Sequence, residues 1–363
     1  MKIVTVLGTR PEIIRLSLII EKLDRLADKH ILVHTGQNFT YTLSDVFFKE
    51  MNVRLPDYTL SVKHPSLGHQ LSNMFIELEK IFLKERPDKV LVLGDTNSAM
   101  AAILAERMNI PVVHMEAGNR CFDLRVPEEK NRKVIDSIST FNLPYTPQSK
   151  KNLLAEGVPV NRIMLSGNPI HEVLKAYEDQ ISQSVILSTL GLTKNEYFLV
   201  TTHRAENVDD PFSLNEILQG LNLVAENYQK RVICSIHPRT KSKIEGMKDL
   251  EMNPLVEFLE PFGFFDFVHL EQNAFCVLTD SGTVQEECCI FHVPTVTIRN
   301  STERPETIDC GSNTVSGVRA HQILQAVKVM VNQTNQWQLP AGYDDLDVSS
   351  KVVKFILGGK SFV

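Results

Sequence analysis

Short apolar runs recur along the chain, each closed by a polar turn and followed by a segment with apolar residues at helical spacing. Lys2 to Leu7 is the first such run; Gly8-Thr9-Arg10-Pro11 breaks it, and Glu12 to Leu26 reads as a helix. Ile31 to Thr35, Lys89 to Leu93 and Ile110 to Met115 read as further strands, with an Ala-rich helix from Ser98 to Met108 between the last two. The second half repeats this grammar. Tyr197 to Thr201, Arg231 to Ile236, Phe275 to Leu278 and Thr295 to Ile298 are strand runs, while Phe212 to Glu226 and the stretch ending at Phe291 are helical. Uninterrupted apolar strands alternating with helices predict parallel sheets covered on both faces. The expected fold class is α/β, with two Rossmann-like doubly wound domains whose strand ends face one cleft.

Ser166-Gly167-Asn168-Pro169 reads as a hinge and Leu339-Pro340-Ala341-Gly342 as a second crossing. The expected division is a first domain over 1–167 and a second over 168–345. A last helix, Val348 to Leu357 within about 346–363, returns to the first domain. The length of 363 residues agrees with about two domains. Hydrophobic residues at 43% and charged residues at 23% exclude a disordered or fibrous chain. A net charge of −6 gives no global reason to bind nucleic acid or an anionic membrane. No run approaches the roughly 18 apolar residues of a membrane span, and Arg10, Pro11 and Glu12 interrupt the first run too early for a signal peptide. Six cysteines without a Cys-x-x-Cys pair suit reduced thiols in the cytoplasm.

Candidate chemistry sits at the strand ends. Gly8-Thr9-Arg10-Pro11-Glu12 joins a tight turn, a helix N-terminus and a forked cation, an arrangement that suits an anion; a plain turn with a surface Arg is the bland alternative. Asp280-Ser281-Gly282-Thr283 offers small residues and hydroxyls at a helix start, as a diphosphate requires, against an ordinary N-cap. Glu287 suits ribose hydroxyls, or lies on a solvated helix face. Asp95 and Glu116 each follow an apolar strand, and Glu128 lies in what reads as a polar loop from Arg125 to Arg132. Carboxylates converging on one site supply an acid and a base; taken singly, a cap or a charged first turn explains each. His203-Arg204 ends a strand and suits a phosphate grip, His237 more weakly. No Gly-x-Gly-x-x-Gly, Walker loop or Gly-x-Ser-x-Gly elbow occurs, so dinucleotide redox, nucleotide hydrolysis and serine hydrolysis lose support. No metal-ligand spacing occurs either.

Over nearly its whole length the chain resembles the non-hydrolysing UDP-N-acetylglucosamine 2-epimerases. The resemblance rests on Gly8-Thr9-Arg10-Pro11-Glu12, His34-Thr35-Gly36-Gln37, Gly94-Asp95-Thr96, Glu116-Ala117-Gly118 and Pro127-Glu128-Glu129 with Asn131-Arg132. In the second half it rests on His203-Arg204, Asp280-Ser281-Gly282, Gln285-Glu286-Glu287 and Thr302-Glu303-Arg304-Pro305-Glu306. It implies a glycosyltransferase-B-like architecture, a homodimer, and inversion of carbon 2 of a UDP-linked 2-acetamido sugar without NAD or metal. In that chemistry a base removes the carbon-2 proton as UDP leaves carbon 1, and UDP re-adds to the acetamidoglycal after reprotonation on the other face. By position, Asp95, Glu116, Glu128 and His203 resemble the family's catalytic residues. Arg10, Ser281, Gly282, Glu287 and Arg304 resemble its UDP contacts, with Phe267 as the aromatic near uracil; Arg15, Arg132, Arg204 and Thr283 complete the binding candidates.

Arg15 stands where the family usually has Lys, Thr283 where it has Gly, and Phe262 where it has Gln. Asn38 replaces a His that accompanies activation by substrate in some members. With the stretch Gly118-Asn119-Arg120-Cys121-Phe122-Asp123-Leu124-Arg125-Val126-Pro127-Glu128-Glu129, these departures resemble a subgroup that converts UDP-2-acetamido-2,6-dideoxy-L-talose to UDP-N-acetyl-L-fucosamine for capsule or O-antigen synthesis. The alternatives are UDP-N-acetylglucosamine as substrate, a glycosyltransferase on the same fold, and a nucleotide-sugar sensor without turnover.

Overall fold

A computed structural model describes residues 1–37, 47–61, 66–236, 238–247, 251–333 and 336–358. Asn38 and His237 lie outside the described residues. The chain forms two compact units, Met1–Ala176 with Ala341–Val363, and Tyr177–Pro340.

In the first unit six strands form one parallel sheet: β1 (Lys2–Leu7), β2 (Lys29–His34), β3 (Tyr58–Thr59), β4 (Lys89–Leu93), β5 (Val112–Met115) and β6 (Phe141–Leu143), in the order β3-β2-β1-β4-β5-β6. The second unit repeats the plan with β7 (Tyr197–Thr201), β8 (Arg231–Ser235), β9 (Val256–Leu259), β10 (Cys276–Thr279), β11 (Thr295–Thr297) and β12 (Asn313–Val315), ordered β12-β11-β10-β7-β8-β9. Each unit therefore runs its strands in the same doubly wound order. In each, the order reverses between the first and fourth strands, β1/β4 and β7/β10, where such sheets bind ligands. The turns Gly94-Asp95-Thr96 and Asp280-Ser281-Gly282 follow β4 and β10, which hold equivalent places in the two sheets.

Apolar residues on both faces of each strand explain why helices cover both sides. In the second sheet Phe198, Val200, Val232 and Leu278 pack on Ile217, Leu221 and Ile323. Their neighbours Tyr197, Leu199, Ile233 and Val277 point the other way, onto Leu270, Val284 and Cys288. Val4, Val6, Val33, Val90 and Val92 make the corresponding core with Leu78, Phe82 and Ala102. Each such side chain stabilises by about 1.5–3 kcal/mol.

The chain leaves the first unit between Ala176 and Tyr177 and returns between Pro340 and Ala341, against sequence-based positions of 167/168 and 345/346. The helix Pro169–Ala176 buries Ile170, Val173 and Leu174 and packs on the helix Arg10–Leu26, so it stays with the first unit. The Asn168 N–H donates to the Gly342 carbonyl at 2.8 Å, tying the outgoing and returning strands of chain together. The stretch read as a polar loop is instead a helix, Pro127–Ile138. Pro127 fits its first position and Glu128 and Glu129 its first turn; few of its residues are apolar, which hid the period.

Candidate active site

The first unit gathers its charges at the carboxyl ends of β1, β4 and β5. Gly8 allows closeness that a Cβ would forbid, since an added carbon would stand 2.1 Å from the Ser98 hydroxyl and 2.2 Å from that of Thr35. The Gly8 and Thr9 N–H groups donate to the Glu12 carboxylate at 2.9 and 2.7 Å, and the hydroxyls of Thr9 and Thr96 join at 2.7 and 3.0 Å. The turn's own donors are thus spent on Glu12, and Arg10 is the part of this motif left to meet an anion. Arg10 lies over the Phe47 ring, its centroid 5.2 Å away, and burial pushes its guanidinium down. Burial also raises Glu12, against the hydrogen bonds from Thr9, Gly8 and Thr96, to about 7.

The register Leu93↔Met115 brings the next two turns side by side. Gly94, at φ +71°, precedes Asp95; Glu116 itself holds φ +63°, an uncommon conformation for a residue with a side chain and a strain that points to use. Glu116 forms a buried ion pair with Arg15, and its other oxygen accepts from the Asn119 amide at 3.3 Å. Asp95 pairs with Arg132, and its carbonyl accepts from Asn131 Nδ2 at 2.8 Å. Glu128 is half-buried one turn earlier on the Arg132 helix. His114 and Asp136 lie beneath. The His114 ring bonds the Gly94 carbonyl at 2.8 Å, and Asp136 accepts from Gly118 N–H at 3.1 Å. Asp95, Glu116, Arg15 and Arg132 therefore meet as two adjacent carboxylate–guanidinium pairs, a bipolar set suited to giving and taking protons.

In the second unit Thr201 pairs in register with Thr279, which sets the β7 and β10 ends together. Asp280, fully buried, accepts from the Thr202 hydroxyl at 2.9 Å, the His203 and Arg204 N–H groups at 3.0 Å each and Asn207 Nδ2 at 3.1 Å. His203 Nδ1 adds an ion pair at 3.1 Å, while more than half of the imidazole remains exposed. Burial alone would push Asp280 up. The charge and hydrogen bond of His203, with those of Arg204, overcome this and hold the carboxyl well below the ordinary range.

Ser281 precedes the helix Gly282–Phe291, with Gly282 buried against Arg304: a Cβ there would meet Glu303 Oε1 at 2.9 Å and the guanidinium carbon at 3.4 Å. Thr283 is half-buried in the first turn. Arg304 pairs with Glu286, and Arg204 with Glu303 at 3.1 Å. Glu287 is buried rather than on a solvated face. Phe267, half-buried in the helix Phe264–Asn273, packs against the core beneath that helix. The structure thus joins Ser281, Gly282 and Arg304 in one place and His203 with Asp280 beside it. Sequence reading missed Glu129, Asp136, Asp280 as anchor of His203, and Glu303; the available signal was a carboxylate facing each site arginine or histidine.

The match to the family model described as UDP-N-acetylglucosamine 2-epimerase spans residues 21–357. The chain belongs to that family. This UDP-sugar 2-epimerase, an isomerase, is 40% identical to the UDP-N-acetylglucosamine 2-epimerase of Methanocaldococcus jannaschii, over 99% of this chain and 100% of that protein. The crystal structure of the M. jannaschii enzyme in complex with UDP-GlcNAc and UDP superposes with a TM-score of 0.93, at 39% identity, covering 99% of this chain and 100% of that one. At 36% identity the epimerase is also similar to the UDP-2,3-diacetamido-2,3-dideoxy-D-glucuronate 2-epimerase of Pseudomonas aeruginosa, over 93% and 94% of the two chains. A glycosyltransferase of lipopolysaccharide biosynthesis, WaaG, shares the fold alone, at 12% identity and a TM-score of 0.62 over 99% and 100% of the chains. The epimerase accordingly has a two-domain, glycosyltransferase-B-like α/β fold. Among the described residues no helix is long and apolar enough to cross a membrane.

Proposed function

We propose that Asp95, Glu116 and Glu128 move the carbon-2 proton of a UDP-linked 2-acetamido sugar while the second unit holds UDP. A carboxylate removes the proton from carbon 2 as the carbon 1–oxygen bond to UDP breaks, which leaves an acetamidoglycal and free UDP. A protonated carboxyl on the other face then returns a proton to carbon 2, and UDP re-adds at carbon 1. The observation that carries this reading is the adjacent pairing of Glu116 with Arg15 and of Asp95 with Arg132 at the ends of β5 and β4. On this reading Ser281, Gly282, Thr283 and Arg304 of the second unit meet the diphosphate, Glu287 holds the ribose, Phe267 flanks the uracil, and His203 and Arg204 attend the departing UDP. Turnover in deuterated water gives product with deuterium at carbon 2 on this route; product without it refutes the route.

The favoured sugar is UDP-2-acetamido-2,6-dideoxy-L-talose, converted to UDP-N-acetyl-L-fucosamine. Its support is the motif from Gly118 to Glu129, in which Phe122 and Leu124 offer apolar side chains to solvent, suited to a sugar with a methyl at carbon 6. UDP-N-acetylglucosamine is the second reading, favoured by the name of the M. jannaschii relative. Offering each sugar separately and following carbon-2 inversion by NMR decides between them: inversion of the glucosamine derivative alone refutes the first. The same reading carries a cytoplasmic homodimer that supplies capsule or O-antigen synthesis.

A further inference from the structure

We propose that Glu129 is a positioning residue for the epimerisation: its buried carboxylate fixes the backbone of loop 119–125 and shares Arg132 with Asp95. The inference rests on the assignment of Asp95 to proton transfer.

Glu129 and Arg132 stand three residues apart on the helix Pro127–Ile138, close enough to meet on one face. Glu129 is fully buried. Its Oε2 accepts from the Cys121 N–H at 3.0 Å, the Cys121 thiol at 3.4 Å and Arg132 Nη1 at 3.3 Å, and its Oε1 accepts from the Phe122 N–H at 3.3 Å. The second Nη of Arg132 pairs with Asp95. Asn131, from the same helix, holds the Asp95 carbonyl. One helix therefore grips Asp95 by two side chains and the loop by a third.

The loop needs that grip. Phe122 has φ +56°, where a bulky side chain is an outlier, and its ring is 71% exposed, so packing does not hold it there. The bonds from the Cys121 and Phe122 N–H groups to a carboxylate do. Such bonds to an ionised acceptor are the strong kind.

The electrostatic consequence follows from one guanidinium lying between two carboxylates. Each carboxylate weakens the hold of Arg132 on the other, so Glu129 keeps Asp95 from being fixed in its ionised form. Titratable groups around this set include Glu128 one turn before Arg132 on the same helix, the Cys121 thiol from the loop, Glu12 through the Thr96 hydroxyl from the helix Arg10–Leu26, and the Arg15–Glu116 pair at the end of β5. Glu129→Gln removes the charge and keeps one oxygen, which can serve the Cys121 or the Phe122 N–H but not both. Asp95 then exchanges its proton at lower pH, whichever direction of transfer it serves.

The experiment compares wild type, Glu129→Gln and Glu129→Ala as full chains, measuring kcat and KM for carbon-2 inversion from about pH 5.5 to about pH 9. UDP affinity is measured by calorimetry alongside. In Glu129→Gln kcat falls about ten-fold or more, UDP affinity stays at the wild-type value, and the pH–rate profile moves down by about one unit. Glu129→Ala loses the loop as well, and KM rises. An unshifted profile in Glu129→Gln overturns the proposal, and so does a loss of UDP affinity in step with kcat, which marks a merely structural role. Asp95→Asn separates the two levels. Full turnover in that variant refutes the Asp95 assignment and the proposal with it, whereas inactivity together with an unshifted Glu129→Gln profile refutes the proposal alone.

Discussion

Replacing Asp280 by Asn tests how the second unit builds its candidate binding turn. The carboxylate receives donors on both oxygens: His203 Nδ1 and the His203 N–H on one side, and Thr202, His203, Arg204 and Asn207 on the other. An amide presents one oxygen, so its NH2 group must stand where several donors now point. Each hydrogen bond to a charged acceptor contributes about 1.5–3 kcal/mol, and the His203 imidazole, more than half exposed, adds little beyond them. With at least two donors left facing the amide group, the expected loss for Asp280→Asn is about 3–5 kcal/mol at neutral pH, or a fall in Tm of roughly 10 °C for a unit of this size. The sequence contains one Trp. It is Trp337, buried in the second unit with its indole N–H on the Cys289 carbonyl at 2.9 Å, so its fluorescence in urea reports the unfolding of that unit. The folded Asp280 carboxyl lies below its unfolded value. Its stabilisation is therefore present above about pH 4 and is lost as pH falls through the folded value. The gap between wild type and variant accordingly narrows in acid. A variant within about 0.5 kcal/mol of wild type at pH 7, or a gap that is constant from pH 7 to about pH 3, refutes the reasoning.

Further outcomes follow from the same packing. Glu12 is raised in the folded chain to about 7, so its contribution to stability is complete below the unfolded value and lost as pH rises through 7. The loss has a ceiling of about 3 kcal/mol, and Glu12→Gln removes that slope from urea unfolding curves taken across the range. Arg15→Met leaves the Glu116 carboxylate buried without its ion-pair partner and costs about 3–5 kcal/mol. Adding Glu116→Gln recovers part of that loss, and strict additivity in the double-mutant cycle would argue against a direct pair. Gly282→Ala pushes a methyl against Glu303 and the Arg304 guanidinium. Overpacking of about 1–3 kcal/mol then weakens UDP binding in calorimetry by roughly ten-fold, and unchanged affinity separates Gly282 from the nucleotide.

The strands were legible because each is a continuous apolar run: Lys2–Leu7, Lys89–Leu93 and Tyr197–Thr201 begin and end where the pattern does. The short outer strands β3, β6, β9 and β12 offered too little periodicity to be read. The candidate residues were legible where they follow a strand, as Asp95, Glu116 and His203 do. Their partners were not, because parallel sheets join residues far apart in the chain. Arg15 reaches Glu116 across 101 positions, and Arg204 reaches Glu303 across 99. The solvated alternative for Glu287 fails for a related reason. Both faces of the helix Gly282–Phe291 are covered, so Glu286 and Glu287 are each buried despite being polar neighbours.

The helix Val348–Leu357 gives the molecule an order of assembly. Val352 and Ile356 are fully buried in the first unit, Phe355 meets Phe141 edge-on at 5.2 Å, and Lys89 and Lys22 donate to the Ile356 carbonyl and the Ser349 hydroxyl. The second unit, by contrast, is one continuous stretch of chain. During synthesis it has all of its strands and helices before the first unit receives this helix. The unit translated first is thus finished last, and until then a nascent chain exposes the apolar groove between the helices Arg10–Leu26 and Pro169–Ala176 that Val348–Leu357 fills.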